Sequence, residues 1–323
     1  MKSYNFPPLY AAWMNQLLPG PVPDETRATC MDCPICKQPE VAGTQDRAFN
    51  PSTKCCTFIP VLPNFLVGAI LQDEDPAFAE GKALFEIEAP GLSVTPFGVE
   101  PPWHYWWHYV DRRFGQHVNM RCPYYIDREG GLCGIWRYRN SRCSTWFCKF
   151  ERGVFGLNFW TKISQLLFTI EKGLADWCIL KLELKLPEQP ADRTETVWGN
   201  WSGREREFYK RCYDLVAILS GPEALNHAGI QIDLMESVLK TFHEIQSSSL
   251  PEKLQPGKFT SEDLANGFVR VRGGCAYDTV DLTQEQFQML KSSEAFQANT
   301  FERSMFQKLY DLQILVAVDP RAD

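Results

Sequence analysis

Residues 122–148, CPYYIDREGGLCGIWRYRNSRCSTWFC, set Cys122, Cys133, Cys143 and Cys148 among glycines, aromatics and arginines. The stretch reads as tight turns punctuated by cysteines, and it marks the N-terminal part of the chain as an irregular, cysteine-rich domain. Upstream lie Cys30, Cys33 and Cys36 in CMDCPIC, then the adjacent pair Cys55 and Cys56 in KCCTF. Nine of the twelve cysteines therefore fall in less than half of the 323 residues.

Composition bounds what those cysteines do. Hydrophobic residues make up 44% and aromatics 13%, enough apolar surface for a sizeable core. A formal net charge of -7 excludes a general nucleic-acid binder. The opening residues, broken by Pro7 and Pro8, lack the apolar run of a signal peptide. No segment reaches the ~18 uncharged apolar residues of a membrane span. The expectation is a cytoplasmic protein without membrane or nucleic-acid contacts, in which clustered cysteines read as metal ligands rather than disulfides. The C-x2-C-x2-C spacing recurs in iron–sulfur proteins and C-x2-C in zinc sites.

The expected fold is α+β and mainly helical. A cysteine-rich metal-cluster domain (1–152) precedes a helical region (153–250) and a small winged-helix-like α/β module (258–323). A short helix is expected near Tyr10–Leu18. A second, apolar helix follows Asn64, a fair N-cap, and residues 83–89 read as a strand. In PPWHYWWHYVDRRFGQH, His104 and His108 stand one helical turn apart and His117 follows. They read as hydrogen-bonded side chains of an aromatic helix lying over the cysteines, with Trp103, Trp106 and Trp107 as core or shield; additional metal ligation is the functional alternative. Residues 153–180 repeat apolar residues at helical spacing: Phe159, Ile163, Leu166, Leu167, Ile170, Leu174 and Trp177. Helices are expected at 204–219 and 222–246 between linkers at 186–203 and 247–258. The last segment reads strand, turn, strand, helix, helix, strand. Seven basic against ten acidic residues over 258–323 suit a protein contact rather than DNA. Cys178, Cys212 and Cys275 read as small buried hydrophobes, and Asp73 with Asp75 as solvated surface.

The cadence C-P-Y-Y, C-G-I-W, R-N-S-R-C, F-C resembles that of the YkgJ-like CxxCxxCC cysteine-cluster family over residues 28–152. Cys30 and Cys33 match its opening pair, Cys55 and Cys56 its double cysteine, and Cys122, Cys133, Cys143 and Cys148 its later series. A long insertion before the pair, Arg139-Asn140 in place of Arg-Pro, and the extra Cys36 depart from the pattern. The resemblance implies an iron- or zinc-chelating protein, an iron–sulfur oxidoreductase, or an enzyme akin to the flagellin lysine methylase, whose cluster is related.

The function expected is an iron–sulfur protein in electron transfer or redox catalysis. One or two [4Fe–4S] clusters on eight thiolates are expected, with zinc as the alternative and a redox or protein partner implied. Four thiolates give such a cluster a net charge of about -2, which needs cations and a hydrophobic shield. Arg137, Arg139, Arg142 and Arg152 are the candidate cations. Trp136, Tyr138, Trp146 and Phe147 are the candidate shield, and Gly130, Gly131 and Gly134 permit close backbone approach. A structural metal-binding adaptor and a lysine methylase-like enzyme are the competing readings; no Gly-rich cofactor loop follows a strand, and no catalytic residue can be named.

Overall fold

The computed structural model describes residues 6–25, 30–33, 35–36, 48–86, 91–109, 114–185, 197–247, 250–251, 253–273, 279–292, 296–297 and 302–318. Helix outweighs strand among them, and the fold is α+β. The chain divides into two compact units, each assembled from separate stretches. The first takes residues 1–23, 29–146 and 163–235; the second takes 24–28, 147–162 and 236–323.

The first unit is built on helices. The amphipathic stretch after Pro7 forms α1 (Pro8–Leu17), with Pro8 in the first turn where its missing N–H costs nothing. Helix α2 (Asn64–Gln72) is buried along nearly its whole length. Pro63, not Asn64, precedes it as cap: the Asn64 amide instead donates to the carbonyls of Pro96 and Ala175, both at 3.0 Å. Residues 83–89, expected as a strand, belong as far as Glu86 to α3 (Ala79–Glu86); Ala, Lys, Leu and Glu are good helix formers, and propensity decides here. Strands β1 (Leu62–Pro63), β2 (Ser93–Thr95) and β3 (Gly98–Glu100) make a small antiparallel sheet in the order β1-β3-β2. It is followed by α4 (Trp103–His108).

The cysteine-rich stretch carries only a two-residue ladder, β4 (Tyr125–Ile126) with β5 (Leu132–Cys133), and one short helix, α5 (Ser141–Ser144). The long periodic segment forms α6 (Gly153–Lys181). Within the first unit it buries Ile163, Leu166, Leu167, Ile170 and Leu174 completely, while Trp177 stacks on His227 at 4.4 Å. Then come α7 (Glu205–Ala217), α8 (Gly221–His227) and α9 (Ile232–Ser247). The single helix expected at 222–246 is two: α8 opens at Gly221, where Ser220 and Glu223 form a reciprocal capping box, and α9 starts at Ile232. Cys178 and Cys212 are fully buried, as expected of small hydrophobes; Cys275 lies outside the described residues.

The second unit holds the small α/β module. Antiparallel strands β7 (Thr260–Asp263), β8 (Phe268–Arg272) and β9 (Val280–Thr283) form one sheet. Strands β6 (Lys253–Pro256), β10 (Phe296–Gln297) and β11 (Leu315–Ala317) form another, ordered β10-β6-β11. Period-two alternation turns Val269 and Val271 inward, and Arg270 outward to Asp281 at 2.8 Å. Helix α10 (Gln284–Ser292) starts on a Thr283–Gln286 capping pair, and α11 (Arg303–Asp311) adds Phe306 and Leu309 to the core. The linker expected at 247–258 contains β6, and the strand expected at 275–280 lies, up to residue 278, outside the described residues.

Candidate metal centre

Short-range hydrogen bonding shapes each loop that presents a thiol. Asn50 accepts from the Ser52 amide at 2.9 Å and its hydroxyl at 2.7 Å, starting a run of turns. The run includes Lys54 in the left-handed region, φ 53°, and delivers Cys55 and Cys56. Cys122 then reaches back: its N–H donates to the Cys56 carbonyl at 2.7 Å, bridging the two halves of the cysteine pattern. Asn140 caps α5, accepting from the Cys143 N–H at 3.0 Å and donating to the Val61 carbonyl at 3.1 Å. That capping is what Asn offers where the resembling family carries Pro. Glu171, fully enclosed on α6, completes the α5 terminus by accepting from the Ser141 N–H at 2.5 Å, the Ser141 hydroxyl at 2.7 Å and the Tyr10 hydroxyl.

These loops gather seven of the nine predicted ligand thiols around Cys55. All six pairs among Cys55, Cys122, Cys133 and Cys143 interact electrostatically. Cys55 also interacts with Cys30, Cys33 and Cys36, and hydrogen-bonds to Cys56. The surroundings hold Cys30, Cys36, Cys55, Cys122, Cys133 and Cys143 protonated. The Cys56 contact and then burial push Cys55 well up. Burial first, then its neighbours, raises Cys122, Cys133 and Cys143, and burial with the Cys33 contact lifts Cys36 to about 12. None of the described cysteines is disulfide-bonded. Cys148 is half-buried in the second unit. Among the described residues, no three His, Cys, Asp or Glu side chains converge on a single ion-sized point.

The cations differ from one another. Burial pulls the Arg139 guanidinium below its ordinary value, an effect that Cys133 and Cys143 beside it partly offset. Its guanidinium lies 3.4 Å over the Trp136 ring and donates to the carbonyls of Trp136 and Cys143. Arg137 is turned to Asp73 and Asp75, at 3.4 and 2.7 Å. Asp73 is thereby a buried acceptor, also of the Tyr138 hydroxyl at 2.7 Å, and not solvated surface. Arg142 lies exposed over Phe168, and Arg152 bonds Asp311 within the second unit. The cation missed in the sequence is Lys54, which donates to the Gly130 carbonyl and partly offsets the burial that raises the Cys30 and Cys36 thiols.

The expected shield is likewise revised. Trp103 and Trp107 are 72% and 71% exposed, because the α4 face that turns inward is that of Tyr105. The Tyr105 hydroxyl donates to the Thr57 carbonyl at 2.8 Å and accepts from the Ile59 N–H at 3.0 Å, just past the Cys55–Cys56 pair. Trp136 and Trp146 stay largely exposed, whereas Tyr124 and Ile135 are enclosed. Tyr124 stands against Cys122 and Cys133, and its buried hydroxyl has no hydrogen-bond partner. Gly130 and Gly131 serve their turn, with φ of 79° and 110°, and a Cβ on Gly130 would meet the Met31 side chain at 2.4 Å. His104 and His108 are exposed.

No family model, curated protein or solved structure matches this chain.

Proposed function

We propose that the chain is an iron–sulfur protein acting in electron transfer or redox catalysis, with one cluster on Cys55, Cys122, Cys133 and Cys143. The observation that carries this reading is that Cys55, Cys122, Cys133 and Cys143 all interact with one another, with the buried Arg139 beside two of them. The donor set also fits in charge and hydrogen bonding. Arg139 offsets anionic sulfur from inside the protein, and the Tyr124 hydroxyl is a spare donor beside two of the ligands. Cys30, Cys33, Cys36 and Cys56 supply thiols for a second centre. When bound, such a cluster supplies a one-electron couple; the chain holds it, screens its charge and limits water.

Because the thiols are held protonated, loading releases protons and weakens as pH falls. This density of reduced thiols suits the cytoplasm, and a one-electron couple implies a redox partner. Anaerobic purification followed by iron, zinc and sulfide analysis and EPR tests the reading. Equal iron and acid-labile sulfide are expected, with a visible band that dithionite bleaches and that Cys133→Ser and Cys143→Ser remove. A colourless protein with stoichiometric zinc would sink it in favour of a structural metal site.

A further inference from the structure

We propose that a pocket beside the thiols binds a small organic anion, a carboxylate or phosphate ester with an apolar body, through His104, His108, His117, Asn119 and Arg121. The pocket lies within the first unit and measures about 410 Å³, the size of a site for a small molecule rather than a chain. Its polar wall comes from two places. His104 and His108, one turn apart on α4, share a face, and residues 117–121 supply the other three side chains. Ile59, Leu92, Tyr105 and Met120 add apolar surface to its lining. Among the described residues, none that lines it is acidic.

That donor set separates an anion from a metal cation. A guanidinium in the wall repels a cation and forks onto carboxylate or phosphate. No three ligands converge among the described residues, as a three-histidine metal site requires. Arg121 lies 5.5 Å from the Tyr125 ring centroid and 3.8 Å from Asp127, whose side chain is 72% exposed. A solvent-screened pair at that distance is weak, so a bound anion can take over the guanidinium. The pocket also has a definite address. Arg121 and Pro123 flank Cys122, and Tyr105 is anchored to Thr57 and Ile59, so its occupant sits against the thiol quartet's wall. The inference holds whatever metal the thiols carry.

Calorimetric titration of the full-length protein with phenyl phosphate, benzoate and inorganic phosphate tests it. Saturable binding of phenyl phosphate or benzoate is expected, tighter than that of inorganic phosphate. Arg121→Leu and the double variant His104→Gln/His108→Gln should each weaken it about tenfold or more. Arg121→Lys, which keeps the charge but loses the fork, should fall between. Trp107→Gln, on the same helix but outside the pocket, should leave it unchanged. Absence of saturable binding by either organic anion, or equal affinity in the parent and Arg121→Leu, would overturn the proposal. So would zinc uptake that the histidine variants reduce and that displaces the anion.

Discussion

Glu171 is the residue on which the local geometry around Cys143 depends. Burial lifts its carboxyl to about 7, against the lowering by its Tyr10 and Ser141 bonds. The unfolded carboxyl loses its proton near pH 4.5, so between about 4.5 and 7 the folded state holds one proton more. Stability from this group is therefore full below the unfolded value and is lost as pH rises through about 7, by on the order of 3 kcal/mol. Glu171→Gln should remove most of that dependence. At about pH 8 the variant should be more stable than the parent by about 2 kcal/mol, after about 1 kcal/mol for imperfect hydrogen bonding. Urea melts at about pH 5 and pH 8 in the same metal state check this; a parent and variant with parallel pH profiles would refute it. Little of this was legible beforehand. Glu171 lies within the apolar stripe of α6, four residues after Leu167 and three before Leu174, and only the fold discloses that Ser141 and Tyr10 meet it. The cysteines, by contrast, announce themselves, because spacing alone marks them as candidate ligands.

At the scale of elements, the tightest joint is α2 against α7. A Cβ on Gly68 would stand 1.9 Å from the Tyr209 carbonyl oxygen, a backbone atom that cannot swing aside. Alanine would gain up to about 1 kcal/mol of helix propensity there, but overpacking costs about 3 kcal/mol or more when backbone must move. Gly68→Ala should therefore destabilise the first unit by about 2 kcal/mol or more, read as a lowered thermal midpoint; an unchanged midpoint would mean the helices can part freely. Long helices such as α6 could be read from sequence because their apolar stripe repeats over many turns. Residues 83–86 misled because Phe85 and Ile87 alternate like a strand, whereas the helix-forming residues around them decide. Asn64 misled in the opposite sense: it looks like a cap, and its buried amide instead ties α2 to Pro96 and Ala175.

At the scale of the molecule, two kinds of stabilisation divide the chain. The second unit closes a core of aliphatic and aromatic side chains from both its sheets and helices. The first unit has a helical core, but its cysteine-bearing loops contribute little regular structure of their own. Metal removal should therefore act unevenly. If the thiols carry a metal as proposed, chelation should cut protection from hydrogen exchange over residues 48–60 and 114–146, while residues 260–273 and 279–292 keep theirs. Uniform loss across both units, or no loss in either, would contradict that division. The separation into units was the least legible feature, because each is assembled from distant stretches and no linker marks their border.

Cys55 and Cys56 are neighbours in the chain, hydrogen-bonded thiol to thiol, and Cys55 interacts with both groups of cysteines. With a centre on each group, a single peptide unit would span the gap between them. When both are reduced and paramagnetic, centres held that closely would couple in spin as well as in charge, so the pair would titrate and relax as one entity rather than as two independent carriers.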